Sequence, residues 1–180
     1  MMRLTFLCLR CNAIIWSAAA VLVLSFSVVS CGIYSPYGAQ TGGARTFSVD
    51  YFTPVAALAS PAVAQRFTEA LKDVVQRQST LRWESTGGEL HFSGRIVGYE
   101  VTTSAVSGGE SETATQNRLT VQVQVVYNNA LDAELNFERT FSKFADFPAD
   151  RNLFDVEEEL TEQINEQLVQ EVFNASLGNW

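Results

Sequence analysis

The sequence predicts an α+β domain, a two-layer sandwich of two amphipathic helices on a mainly antiparallel sheet of four to five strands, in the order β-α-β-β-β-β-α. Three observations carry this. Leu119, Val121, Val123, Val125 and Tyr127 alternate strictly with polar neighbours, the period of a strand with one buried face. Two other segments repeat their apolar residues every three or four positions, the period of a helix with one buried stripe. A one-faced sheet and two one-striped helices bury each other.

The elements follow in order. Phe47, Val49 and Tyr51 alternate with Thr46, Ser48 and Asp50, a first strand over 45–52 that ends at Pro54. Ser60 and Pro61 then have the residue types of a helix N-cap and first turn. Val63, Phe67, Ala70, Leu71 and Val74 supply the stripe, and the helix is expected to end near Arg77. Leu81 to Glu84 is a short strand closed by Gly87 and Gly88. In the next strand Leu90, Phe92, Gly94 and Ile96 hold one phase and Val97, Tyr99 and Val101 the other. An extra residue moves side chains to the opposite face, so a bulge or bend is expected near Gly98. Residues 104–117 are polar around Gly108 and Gly109 and read as a long exposed hairpin tip. After the 119–127 strand and a turn at Asn128 to Asp132, Leu135, Phe137 and Phe141 begin a last strand. The second helix, 152–177, buries Leu153, Val156, Leu160, Ile164, Leu168 and Val172. Its acids gather toward the N-terminal half, where the helix dipole favours them.

Ahead of this body lies a leader. Arg3 and Arg10 precede an apolar run from Ala13 to Val29 that is broken only by serines and ends in Val28-Val29-Ser30-Cys31-Gly32. The small residue followed by cysteine resembles the lipobox of bacterial lipoproteins, whose thiol receives lipid and whose leader is cut just before it. Residues 1–30 are therefore expected to be a cleaved signal peptide, with cleavage between Ser30 and Cys31 and lipidation of Cys31 by diacylglycerol and an N-acyl chain. An uncleaved membrane span is the other reading of the run, whose length is near the lower limit for spanning. The Gly-, Ser- and Tyr-rich residues 31–44 read as a flexible tether, leaving 45–180 as one domain.

Composition excludes several functions. The leader contains two arginines and no acid, so the remainder has ten basic and twenty acidic residues, net −10. That repels phosphate backbones, and nucleic acid is not an expected partner. Cys8 and Cys11 form a C-x-x-C within the discarded leader, which leaves Cys31 as the mature chain's one cysteine. With His91 as the one histidine, the usual zinc and Cys-His sites have no ligands, and no metal or other cofactor is expected. The consecutive acids Glu157 to Glu159 fan out around a helix and read as a solvated face. No catalytic residue is assigned. Phe141, Phe144 and Phe147 form an aromatic group between the last strand and the second helix; its readings are core packing or a partner contact.

Taken in order, several stretches resemble the LptE-type lipopolysaccharide-assembly lipoproteins of the Bacteroidetes kind. They are Cys31-Gly32-Ile33-Tyr34-Ser35, Phe47-Ser48-Val49-Asp50-Tyr51-Phe52, Gln65 to Asp73, Leu90 to Tyr99, Asn117 to Val121, Phe137 to Phe147 and the C-terminal helix through Asn174. No single stretch is diagnostic; the ordered set carries the resemblance. The resemblance implies a non-catalytic lipoprotein on the periplasmic face of the outer membrane. It further implies an LptD-like β-barrel partner and a role in delivering lipopolysaccharide to the cell surface. A stand-alone lipid- or ligand-binding lipoprotein, such as an auxiliary subunit of a lipid transporter, is the rival, and it predicts an apolar groove between helices and sheet and partners in the inner membrane. An enzyme ranks third.

Overall fold

The first helix starts where its cap residues stand. Ser60 Oγ accepts from the Val63 backbone N–H, and the helix α1 runs Pro61–Gln78. At the far end of the chain Asn152 caps α2, Leu153–Leu177, its side chain accepting from the Phe154 N–H. The computed structural model describes residues 39–108 and 112–178, with side chains described for all of these except 104–115. Strands are β1 Thr46–Val49, β2 Thr53–Pro54, β3 Arg82–Trp83, β4 Leu90–Gly108, β5 Glu112–Asn129 and β6 Phe137–Pro148. A short 3-10 turn, Ala133–Leu135, lies between β5 and β6.

The sheet runs β3-β1-β4-β5-β6, with β2 beside β4. It is mixed. β4, β5 and β6 are antiparallel neighbours joined directly, while β1 and β2 lie parallel to β4, and β3 parallel to β1. The parallel half has a simple cause: α1 carries the chain back over the sheet between β1 and β3, and such a crossover returns the next strand in the same direction. The expected bulge is present, with the β4–β5 register shifting between Ile96 and Gly98.

Two expectations of phase are corrected. Tyr51 does not share a buried face with Phe47 and Val49; it is 50% exposed, while Phe52 is fully buried. The first strand is interrupted because the Phe52 N–H donates to Thr68 Oγ1 on α1 instead of to a neighbouring strand, which resets the alternation. Val97 does not join Tyr99 on the inner side; it sits in the bulge and is exposed. The 104–117 region is a paired ladder on both sides of residues 109–111, down to Gly108 opposite Glu112. The tether also shortens. Ala39 bridges Gly178, the Gln40 N–H donates to the Leu177 carbonyl, and Ala44 is buried. Residues 39–44 are therefore held to the end of α2, and the leader with residues 31–38 lies outside the described residues.

The core lies between the helices and one face of the sheet. Phe47, Phe52, Phe67, Leu71, Phe92, Ile164 and Leu168 are all fully buried there. Phe92, Tyr127, Phe137 and Phe141 form an aromatic row across β4, β5 and β6, with successive ring centroids 5.0, 5.3 and 6.3 Å apart, within the range of favourable aromatic pairs. Among the described residues no helix is long and apolar enough to cross a membrane.

Candidate functional site

The sheet's other face is not covered by any described element, and apart from Val126 and Phe144 its side chains on the paired strands are mainly polar. On β4 it carries His91, Ser93 and Arg95; on β5, Gln122, Gln124 and Asn128; on β6, Thr140 and Ser142. Alternation fixes this, because inward valines and aromatics leave the amides and hydroxyls outward. Three polar assemblies span it. Arg95 Nε donates to Gln124 Oε1 at 2.6 Å, and Gln124 Nε2 donates to Glu138 Oε1 at 2.6 Å, linking three strands. Arg118 binds both carboxylate oxygens of Asp146, at 2.7 and 2.9 Å, and stacks 3.7 Å from the Phe144 ring. The Asp146 hydrogen bond raises the Arg118 guanidinium, and Arg118 holds the Asp146 carboxyl below the usual carboxylate range.

The third assembly joins β1 to β4. His91 Nε2 lies 3.2 Å from Asp50 Oδ2 and Nδ1 lies 2.9 Å from Ser48 Oγ. The residue types are those of a nucleophilic triad, but Ser48 has no exposed surface, so a substrate carbonyl does not reach its oxygen. A triad needs an accessible nucleophile beside its base. The arrangement pins two strands together.

The aromatic group expected between β6 and α2 is divided by the strand's own period. Phe141 and Phe147 point inward and are 6% and 4% exposed, while Phe144 points outward and is 48% exposed. Core packing thus accounts for two of the three, and only Phe144 is open to a partner. The sequence reading placed the group between the last strand and the second helix; because β6 continues through Pro148, odd and even positions part. Ser30 and Cys31 lie outside the described residues.

On the helical side, α1 and α2 run in the same direction. Arg66 Nη2 meets Glu158 Oε1 at 3.1 Å, and Gln78 and Gln170 exchange amide hydrogen bonds of 2.7 and 3.2 Å. Between these two bridges the helices leave a cleft of 560 Å³. Across the domain, Tyr99 on β4 donates to Glu157 Oε1 at 2.7 Å, and burial, then this carboxylate, hold its phenol well above its ordinary range. Among the described residues no group of His, Cys, Asp and Glu is placed to hold a metal.

Together these features define a two-layer α+β domain with a buried core, an open polar sheet face and two parallel helices at its back. The chain belongs to the LptE family, described as lipopolysaccharide-assembly, whose model matches residues 44–176. The match spans almost the whole folded body. It assigns the chain to lipopolysaccharide assembly, a non-enzymatic role of that family. Among solved structures, a minor lipoprotein from Acinetobacter baumannii is similar at 13% identity and TM-score 0.47, over 74% of this chain and 96% of that one. Lipoprotein B from Nitrosomonas europaea is similar at 17% identity and TM-score 0.41, over 72% and 80%. Rare lipoprotein B from Shewanella oneidensis is similar at 10% identity and TM-score 0.42, over 73% and 90%. At these scores the likenesses add nothing to the family match. No curated protein matches the chain.

Proposed function

We propose that this chain is an outer-membrane lipoprotein, anchored on the periplasmic side through lipid on Cys31, that partners an LptD-like β-barrel and assists the insertion of lipopolysaccharide at the cell surface. The observation that carries the reading is the family match over 44–176. The lipobox-like Val28-Val29-Ser30-Cys31 ahead of it supplies the anchor, and several acyl chains on one cysteine make anchoring effectively permanent. The uncovered sheet face, with Phe144 exposed, suits contact with the wet, hydrogen-bonding interior of a barrel. The rival lipid-binding reading requires an apolar groove between helices and sheet. Fully buried Phe52, Phe67, Leu71 and Ile164 fill that space, which favours the assembly role.

The test is purification of the full chain from membranes in mild detergent, with an LptD-type barrel identified by mass spectrometry. A stoichiometric barrel is expected, together with loss of outer-membrane fractionation in Cys31→Ser. Recovery of the lipidated chain with no barrel, or only with inner-membrane transporter subunits, would overturn the partnership.

A further inference from the structure

Between β5 and β6 the chain turns over at one end of the sheet with two large apolar side chains in solvent. Leu131, before the 3-10 turn Ala133–Leu135, is 53% exposed, and Leu135, which ends it, is 49% exposed. A single exposed leucine is ordinary on a protein surface, but this turn is built to hold both in place. Asn129 Oδ1 accepts from the Leu131 and Asp132 N–H groups at 2.8 and 3.1 Å, Asp132 Oδ1 from the Glu134 N–H at 3.0 Å, and Asn136 Oδ1 from the Asn129 N–H at 2.6 Å. The Leu135 N–H donates to the Asp132 carbonyl, the Asn136 N–H to the Ala133 carbonyl and the Ala130 N–H to the Glu89 carbonyl. The turn's donors, that of Ala133 apart, are thus satisfied from within the protein. A turn whose donors do not depend on water is suited to a lipid interface, where unpaired backbone groups are costly.

The turn also stands where the chain enters the body. Glu89, which holds Ala130 through its carbonyl, accepts the Arg45 N–H on its carboxylate at 2.6 Å. Arg45 follows directly on the segment that the bridge from Ala39 to Gly178 clasps to the end of α2. The opposite end, where α2 begins and Phe154 is 84% exposed, is separated from Gly178 by the 25 residues of that helix, about 37 Å. Ala39 is eight residue steps from Cys31, at most about 28 Å. Leu131 and Leu135 are therefore on the end of the body nearer to Cys31. Asp132 and Glu134 in the same turn oppose an anionic surface and favour a zwitterionic one.

We infer that the β5–β6 turn docks on a zwitterionic bilayer, Leu131 and Leu135 entering the interfacial layer of the leaflet that holds the lipid on Cys31. Docking of this kind rests on the proposed lipidation of Cys31 and is independent of the barrel partnership. Two leucines by themselves hold a membrane weakly; beside a permanent anchor they need only orient the body. The contact turns the C-terminal end of α2 toward the bilayer and Phe154 away from it.

The experiment places an environment-sensitive fluorophore on the mature lipidated chain in vesicles of phosphatidylcholine and phosphatidylethanolamine. It is attached at Ala133→Cys in the turn or, separately, at Asp150→Cys beyond β6, both exposed positions; with Cys31 lipidated, the introduced thiol is the one free to react. Nitroxide-bearing lipid in the vesicles quenches a probe that meets the bilayer. Quenching and a blue shift of emission are expected at 133, and neither at 150. Leu131→Ser/Leu135→Ser should lose most of the quenching at 133 with the thermal midpoint unchanged, while Leu131→Phe/Leu135→Phe, which keeps an apolar tip, should retain it. Flotation with the vesicles and the mass of the N-terminal peptide read the anchor separately. An unlipidated chain that does not float would overturn the anchor and the docking with it. A lipidated, floating chain with no quenching at 133, with equal quenching at 133 and 150, or with quenching unchanged in the serine pair would overturn the docking alone.

Discussion

Two buried tyrosines link the stability of the domain to alkaline pH. Burial holds the Tyr99 phenol far above its ordinary value of 10.0 and pushes Tyr127 up to about 12. In the unfolded chain both ionise near 10, while in the fold they stay neutral. The stabilisation from each is therefore fully present below the unfolded value and is lost as pH rises through the folded one. The urea midpoint should stay level between about pH 7 and 9 and fall above about pH 10. Tyr127→Phe, which cannot ionise, should flatten that fall, and an unchanged profile would sink the assignment. Gly94 supplies a second residue-scale prediction. A β-carbon there would collide with the Gln124 carbonyl oxygen on β5 and lie 2.6 Å from the Phe52 ring. Overpacking against backbone costs about 1–3 kcal/mol, so Gly94→Ala should lower the urea midpoint accordingly. Gly98→Ala meets only the flexible Gln122 side chain, at 3.0 Å, and should cost less. Equal losses would mean that strand pairing, not close approach, fixes Gly94.

At the scale of elements, what was legible in the sequence was what depends on neighbours along the chain. Ser60 and Pro61 mark the start of α1, and the alternation of Leu119 to Tyr127 fixes which face of β5 is buried. The caps are open to test: Ser60→Ala and Asn152→Ala should each cost about 1 kcal/mol, read as a lower thermal midpoint by far-ultraviolet dichroism. A cap whose loss leaves the midpoint unmoved is held by packing instead. Features that depend on distant partners were not legible. The break between β1 and β2 needs Thr68 on α1 to take the Phe52 N–H, and nothing near Phe52 announces it. The sheet was expected to be mainly antiparallel; β4 to β6 are, and the crossover through α1 makes the β1 to β3 part parallel. Phe141, Phe144 and Phe147 looked like one group because their separation was counted without the strand running through all three. The cleft did leave a trace in the sequence. Thr161, Asn165 and Val169 form an i, i+4 row that is buried, and polar residues within a helix's buried stripe are unusual. Thr161 resolves this by donating back to the Glu157 carbonyl, and Asn165 by opening onto the cleft between the helices.

For the whole molecule, the sheet's far border raises the question of self-association. β6 is twelve residues long and ends the sheet, so its outer edge is unpaired among the described strands. A long bare edge is a template for another chain, and inward-facing charges are one device that blunts it. Arg139 and Lys143 are such charges, Arg139 lying 5.3 Å over the Phe137 ring and Lys143 Nζ 2.9 Å from Glu171 Oε2. Arg139→Val/Lys143→Val should therefore self-associate with rising concentration in sedimentation velocity, where the parent chain stays monomeric. A monomeric double variant would show that the edge is guarded otherwise. The clasp between Ala39 and Gly178 bears on encounter as well as on fold. Ala39, where the described body begins, is eight residue steps from Cys31, a span of at most about 28 Å whatever the chain between them does. Under the proposed lipidation of Cys31, that span is the furthest the body can stand from the bilayer surface. The proposed barrel partner would then be met by search in the plane of the membrane, with the body already at the height of the contact.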